Sequence, residues 1–347
     1  MQKENFKKPK ALKVLLAPIT FIYWFIVYTR NKYFDLGLFN IKSLGKPVIS
    51  IGNLTVGGTA KTPLTIFISE YFKLKGVKVA ILSRGYGRKS KGTVLVSDGI
   101  NILSSHVESG DEPALIAKKT TGIPIVVDNK RSRGGSYLIS KYNPDLIILD
   151  DGYQHRSLKR DLDILLINSL DKEDDHNLIP YGRLREPWNN FKRASLLIRT
   201  KSNLLEEDSF LLDKLKKTNK DIFISESHVE ISKNFTSKKL QNINLSKKSV
   251  LVLTAIGDQQ SFIKPVKKTG CKIVKNMKFR DHYNFNQKVW NKIESSIKSL
   301  NINYILTTEK DWVKIQPLKR KTPVIVFELN ITIDREEDFF KILKSIL

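Results

Sequence analysis

A chain of 347 residues with 41% hydrophobic content holds enough material for two domains, each with its own core. Its 60 Lys and Arg against 35 Asp and Glu give a formal charge of +25, which predicts attraction to something polyanionic: nucleic acid, an anionic membrane surface or a phosphorylated substrate. The single cysteine, Cys271, excludes an intramolecular disulfide framework and a multi-cysteine zinc site, and points to the reducing cytosolic side.

The first thirteen residues carry Lys3, Lys7, Lys8, Lys10 and Lys13 against Glu4, and Val14 to Tyr28 is then almost wholly apolar and aromatic. As a helix that apolar run rises about 22 Å, short of a hydrocarbon core of about 30 Å. Basic flanks and the cluster Phe21, Tyr23, Trp24, Phe25 and Tyr28 suit a helix lying in a membrane interface. A signal peptide shares the pattern but lacks a following small-x-small site here, and a buried core helix is the remaining alternative.

Val48 to Ile51 reads as a strand, followed by a turn with Gly57 and Gly58 and a helix that opens at Lys61, Thr62 and Pro63. Such a turn cradles phosphates: the glycines let backbone N–H groups converge, and the helix N-terminus adds partial positive charge. Lys61 would reach the β- and γ-phosphates of a nucleoside triphosphate and Thr62 would hold Mg²⁺. Thr55 and Ala60 stand where the usual pattern has its two glycines. An alanine at positive φ costs about 1–2 kcal/mol, so either position 60 is already close to helical or the loop is altered. An ordinary βα turn has the same outline.

Leu64 to Leu74 predicts a helix stopped by Gly76, and Val77 to Ser83 a strand. Arg84-Gly-Tyr-Gly-Arg88 then puts cations and Tyr86 at a strand's C-terminal end, where an open α/β sheet binds its ligand, although a solvated basic loop reads the same. Apolar runs at Ile123 to Val127, Leu146 to Leu149, Leu162 to Ile167 and Leu196 to Ile198 predict a largely parallel sheet. Asp111 and Glu112 open a helix and could be mere caps. Asp150 and Asp151 follow a buried strand and precede Gly152, the placement of the acids on the Mg²⁺ side of a phosphate-loop protein. Asp221 to Ser232 alternates like a ribbon, Lys233 to Lys248 is basic and loop-rich, and a second small α/β unit begins at Ser249. The boundaries are therefore residues 1–34 (basic, aromatic helix), 35–220 (core domain), 221–248 (ribbon linker) and 249–347 (smaller domain). Asp281 and His282 sit in a polar loop, where such a pair is more often a surface hydrogen bond than a dyad. Cys271, in an apolar and basic run, reads as a buried structural thiol.

In order, GNLTVGGTAKTP, LSRGYGR, SGDEP, LDDGYQH, LREP, LTAIGDQQSF, RDHYNF and LTTEKDWVK closely resemble the tetraacyldisaccharide 4′-kinase family over almost the whole chain. The family's loop also has Thr at position 55, whereas Ala60 departs from its usual glycine. The resemblance implies a phosphate-loop NTPase-like, largely parallel α/β domain, a smaller α/β domain joined by a β-ribbon, and an N-terminal membrane-interface helix. It implies transfer of the ATP γ-phosphate to the 4′-hydroxyl of tetraacyldisaccharide 1-phosphate, giving lipid IVA, at the cytoplasmic face of the inner membrane. Carried over by position, Thr55, Val56, Gly57, Gly58, Thr59, Ala60, Lys61 and Thr62 bind ATP. Thr62, Glu112, Asp150 and Asp151 lie on the Mg²⁺ side. Asp111 is the general base and His282, on the second domain, its partner, which would make domain closure a gate on catalysis. Tyr86, Arg131, His155, Arg185 and Glu186 are further site residues. The basic surplus then matches an anionic membrane, and no ordered nucleic-acid motif appears. The competing function is a phosphate-loop ATPase or GTPase acting as a membrane-targeting switch, which needs no Asp111–His282 pair.

Overall fold

The computed structural model describes residues 10–205, 210–216, 223–235 and 243–347. Lys3, Glu4, Lys7 and Lys8, and part of the basic segment from Lys233 to Lys248, lie outside them. In chain order, α1 (Lys10–Asp35) is followed by β1 (Val48–Asn53), α2 (Lys61–Leu74), β2 (Val79–Ser83) and β3 (Val94–Asp98). Next come α3 (His106–Ser109), α4 (Asp111–Lys119), β4 (Pro124–Val127), α5 (Arg131–Tyr142), β5 (Leu146–Asp150), β6 (Leu162–Asn168) and β7 (Leu196–Thr200). After α6 (Phe210–Lys216) and β8 (Phe223–Phe235) follow β9 (Ser249–Thr254), α7 (Gln260–Lys268), β10 (Lys272–Lys278) and α8 (Gln287–Ile297). The chain ends with β11 (Tyr304–Thr308), α9 (Glu309–Ile315), β12 (Val324–Ile333) and α10 (Glu336–Lys344).

The chain forms two compact units, one made of Met1–Lys61, Leu146–Ser227 and Ile333–Leu347, the other of Thr62–Asp145 and His228–Thr332. In the first, the strands follow the order β8-β7-β6-β1-β5 and every pair is parallel. All residues of β1, β5, β6 and β7 are buried, as a sheet covered on both faces requires. Tyr153, Leu165, Leu184, Phe191, Leu197 and Leu211 pack into one cluster of its core. β8, within the stretch expected to form a ribbon, is one continuous strand of 13 residues, and residues 221–222 of that stretch lie outside the described ones.

Helix α1 runs 26 residues, longer than the apolar stretch alone suggested, and rises about 39 Å at ~1.5 Å per residue. By length and composition it could cross a membrane. Its N-terminal half is bare, with Val14 74% and Leu15 73% exposed. Its C-terminal half is fastened to the first unit: Tyr23 donates to the Arg185 carbonyl (2.7 Å) and Asn31 to Glu186 Oε2 (2.8 Å). Arg156 donates to the Asn31 carbonyl (3.0 Å) and pairs with Asp35 (2.7 Å).

In the second unit β4 lies between β2, which it parallels, and β3, which it opposes. A second set, β10-β9-β11-β12, is parallel throughout. Trp290, Leu251, Leu253, Ile305 and Val326 fill one face of that set, and Val250, Val252, Phe262 and Phe327 the other. Cys271 is half-buried against the latter cluster and its thiol meets the Val266 carbonyl at 3.6 Å. β9 begins at Ser249.

Candidate active site

Among the described residues, chemistry-bearing side chains gather at the β1–α2 turn and at the N-terminus of α4. In the first, the chain leaves β1 at Asn53 and runs beside Arg183-Leu184-Arg185. The Val56 amide donates to the Arg183 carbonyl (2.7 Å), the Arg185 amide donates to the Leu54 carbonyl (2.7 Å), and Thr55 bridges Leu184. Asp171 accepts from the Thr55 hydroxyl (3.2 Å) and from Arg183 (3.3 Å). Gly57 has φ +120°, a conformation that strains any residue with a side chain, and the Arg183 guanidinium lies where a Cβ would stand. Lys201, itself buried, donates to the Gly58 carbonyl at 2.7 Å.

Ala60 has φ +61°, so the backbone keeps the left-handed geometry that a glycine would take there, at the expense of Cβ strain. Lys61, the first residue of α2, is held by Asn53 Oδ1 (3.1 Å) and Asp151 (3.5 Å). Thr62 follows as its second residue, partly exposed. Asp150 closes β5 beside Ile51 and is buried, while Asp151, at φ +52°, also pairs with Arg185 at 3.2 Å. A Cβ on Gly152 would come within 2.6 Å of Leu149 and Ser50, so the turn carrying both acids is tight. These residues fit a Mg²⁺–nucleotide: the carboxylates are hard oxygen donors, Lys61 and Arg185 are cations, and the buried Thr59 hydroxyl has no partner among the described residues.

Two of the expected residues of this unit have other neighbours. His155 Nε2 lies 3.2 Å from the Ser157 hydroxyl. Glu186 is fully buried and binds Arg193, Asn190 and Asn31, each at 2.8 Å, so it ties α1 to the loop that carries Arg185. Burial works to raise its carboxyl, but Arg193 and Asn31 hold it below the ordinary range.

The second cluster gathers on the N-terminus of α4. Gly110, at φ +96°, brings that end against the Arg84–Arg88 loop, since a Cβ there would meet the Tyr86 carbonyl at 2.9 Å. Asp111, the first residue of α4, is 7% exposed. His282 Nδ1 lies 3.1 Å and Lys314 Nζ 3.2 Å from its Oδ2, so both contacts fall on one oxygen. Burial raises the Asp111 carboxyl, but the bond from His282 and the charge and bond of Lys314 prevail and bring it down to about 2. Glu112 pairs with Lys310 at 2.7 Å. The Tyr86 ring, 61% exposed, lies 5.1 Å from that of His282. Arg131, buried at the start of α5, donates to the carbonyls of Asp128 (3.0 Å) and Asn129 (3.3 Å). Asp111 and His282 both belong to the second compact unit.

The family model described as Tetraacyldisaccharide-1-P 4'-kinase matches residues 12–347. The chain belongs to the tetraacyldisaccharide 4′-kinase family. The tetraacyldisaccharide 4′-kinase of Aquifex aeolicus is 36% identical over 337 residues, which are 96% of this chain and 99% of that one. Its counterpart from Chlorobaculum tepidum is 35% identical over 315 residues, 88% of this chain and 87% of the relative. A crystal structure described as an "apo" form of the Aquifex aeolicus protein in complex with ATP matches with a TM-score of 0.75 at 33% identity, covering 96% of this chain and 99% of that chain.

Sequence reasoning within this kinase family missed Asn53, Arg183, Lys201, Lys310 and Lys314. The last two were legible as lysines four apart, which share a helix face, but alone such a pair reads as a solvated surface.

Two measurements check this geometry. Ala60→Gly relieves about 1–2 kcal/mol of Cβ strain against the ~0.4–1 kcal/mol that glycine adds to unfolded-chain entropy. Stability should hold or rise by up to about 1.5 kcal/mol in thermal unfolding, and a clear loss contradicts a left-handed residue 60. With a folded pKa of about 2 against an ordinary 3.8, the Asp111 carboxylate contributes about 2 kcal/mol above pH ~4 and loses it as pH falls toward ~2. The difference in unfolding free energy between the wild type and Asp111→Asn should therefore narrow on acidification through that window; a constant difference contradicts the depressed pKa.

Proposed function

We propose that this chain transfers the γ-phosphate of ATP to the 4′-hydroxyl of tetraacyldisaccharide 1-phosphate, forming lipid IVA in lipid A biosynthesis. Family membership supports an ATP-dependent kinase, and the relatives from Aquifex aeolicus and Chlorobaculum tepidum both carry the name of a kinase, which does not favour a targeting-switch ATPase. The observation that carries the reading is a buried carboxylate, Asp111, with His282 and Lys314 both meeting one of its oxygens, Oδ2.

A sugar hydroxyl is a weak nucleophile, and a positioned carboxylate that accepts its proton as attack proceeds contributes on the order of 10²–10⁴-fold. Asp111 takes that proton on Oδ1 while His282 steadies Oδ2. A base this acidic suits late proton transfer, since the hydroxyl becomes strongly acidic only as its bond to phosphorus forms. Residues 55–62 hold the phosphates, and Lys61 offsets charge on the transferring group. Thr62, Asp150, Asp151 and Glu112 are assigned to the Mg²⁺ side; the ion, when bound, neutralises phosphate charge. Arg131, Arg185, Glu186, Tyr86 and His155 complete the proposed site.

The reading includes a core domain (35–220) and a smaller one (249–347) linked by 221–248. It also seats α1 in an anionic membrane surface at the cytoplasmic face of the inner membrane, as a peripheral or monotopic anchor. Its bare apolar half and the net charge of +25 support this, each basic residue near such a surface contributing about 1 kcal/mol. Nucleic acid has no part in it.

Mass spectrometry of tetraacyldisaccharide 1-phosphate incubated with the detergent-purified chain, Mg²⁺ and ATP tests the function. One added phosphate, on the 4′-hydroxyl and absent with Lys61→Ala, is the expected result. ATP consumed without any gain on the lipid would favour the switch.

A further inference from the structure

His282 is the partner of Asp111, yet nothing about an imidazole by itself settles which of its nitrogens carries the proton. That depends on what the far nitrogen touches. Among the described residues, the charged groups facing the ring are on α4, α9 or the loop of His282 itself. Asp111 Oδ2 lies 3.1 Å from Nδ1; Lys310 Nζ lies 3.2 Å, Glu112 Oε1 3.6 Å and Asp281 Oδ1 3.9 Å from Nε2. The nearest group to Nε2 is therefore an ammonium, which can only donate. Lys310 is itself pinned by Glu112 (2.7 Å) and Asp281 (3.3 Å). A lysine is ordinarily a cation at neutral pH, and the two carboxylates beside it favour that form. The backbone fixes the ring as well: His282 sits at φ +58°, its amide bonded to its neighbour's carboxylate, Asp281 Oδ1, at 3.0 Å.

We propose that Lys310 is a positioning residue that sets the tautomer of His282: it donates to Nε2, which places the ring proton on Nδ1, aimed at Asp111 Oδ2. Glu112 and Asp281 hold the ammonium, the ammonium orients the imidazole, and the imidazole orients the carboxylate. The rival arrangement, a doubly protonated ring bonded to both Asp111 and Glu112, would set an N–H against the ammonium at 3.2 Å. The catalytic consequence rests on the kinase reading above; the tautomer does not.

The test uses the full chain labelled with ¹⁵N-histidine, with long-range ¹H–¹⁵N spectra of the rings and His282→Asn to assign the signal. In the wild type at neutral pH, Nδ1 should carry the signature of a protonated nitrogen and Nε2 that of an unprotonated one. Lys310→Met should abolish that pattern, and Lys310→Arg, which keeps a cationic donor, should restore it. In the transfer assay Lys310→Met should lower kcat by about 10–100-fold with the KM for ATP unchanged, with recovery in Lys310→Arg. Should Lys310→Met fail to fold with Glu112 stripped of its partner, Lys310→Met/Glu112→Gln removes both charges and is read by the same spectra. Two protonated nitrogens in the wild type, or an unchanged pattern without Lys310, would overturn the proposal. A wild type that shows the Nδ1 signature but phosphorylates no lipid would sink the kinase reading and leave the tautomer standing.

Discussion

Asp111 combines two properties that oppose each other: it is 7% exposed and it is ionised. Taking a carboxylate out of water favours its neutral form, whereas only the ionised form can serve as a base. The opposition is resolved on a single oxygen, where an imidazole from a loop and an ammonium from α9 converge, and the N-terminal end of α4 adds its partial positive charge. Much of the second unit follows from this arrangement. Gly110 is needed to bring the helix end against the Tyr86 loop, and Lys314 is buried because it must reach inward to Asp111 and Asp311.

Strained backbone marks both clusters. Ala60 at φ +61°, Asp151 at +52° and His282 at +58° are side-chain-bearing residues in the left-handed region, each beside or within the chemistry. Such conformations cost on the order of 1–3 kcal/mol and persist where their surroundings fix them. For Asp151 the fixing groups are Lys61 and Arg185; for His282 they are Asp111 and Lys310. A charge network that holds a strained residue also holds its side chain in one place, which is what phosphoryl transfer by positioning requires.

The parallel sheet was legible because buried parallel strands appear as uninterrupted apolar runs, as at Leu146 to Leu149 and Leu162 to Ile167. The β1 turn and helix were legible through Gly57, Gly58 and the lysine after them. Residues that act through long side chains from distant segments were not. Lys310 and Lys314 reach Glu112 and Asp111 across some two hundred residues of sequence, and no local pattern separates such lysines from solvated ones. Arg183 was hidden similarly: its side chain fills the space beside Gly57, which depends on the chain pairing Val56 with Arg183. The C-terminal end of α1 was less legible from composition than its apolar part, since the apolar run ends at Tyr28 whereas the helix continues through polar residues that dock on Glu186 and Arg156.

The most direct measurement is the single-turnover rate of phosphate transfer by rapid quench, at saturating ATP and lipid, for the wild type and Asp111→Asn, with the ATP dissociation constant measured in parallel. If Asp111 is the base, the asparagine slows the transfer step by about 10²–10⁴-fold and leaves ATP affinity unchanged. A transfer rate equal to that of the wild type would contradict the account.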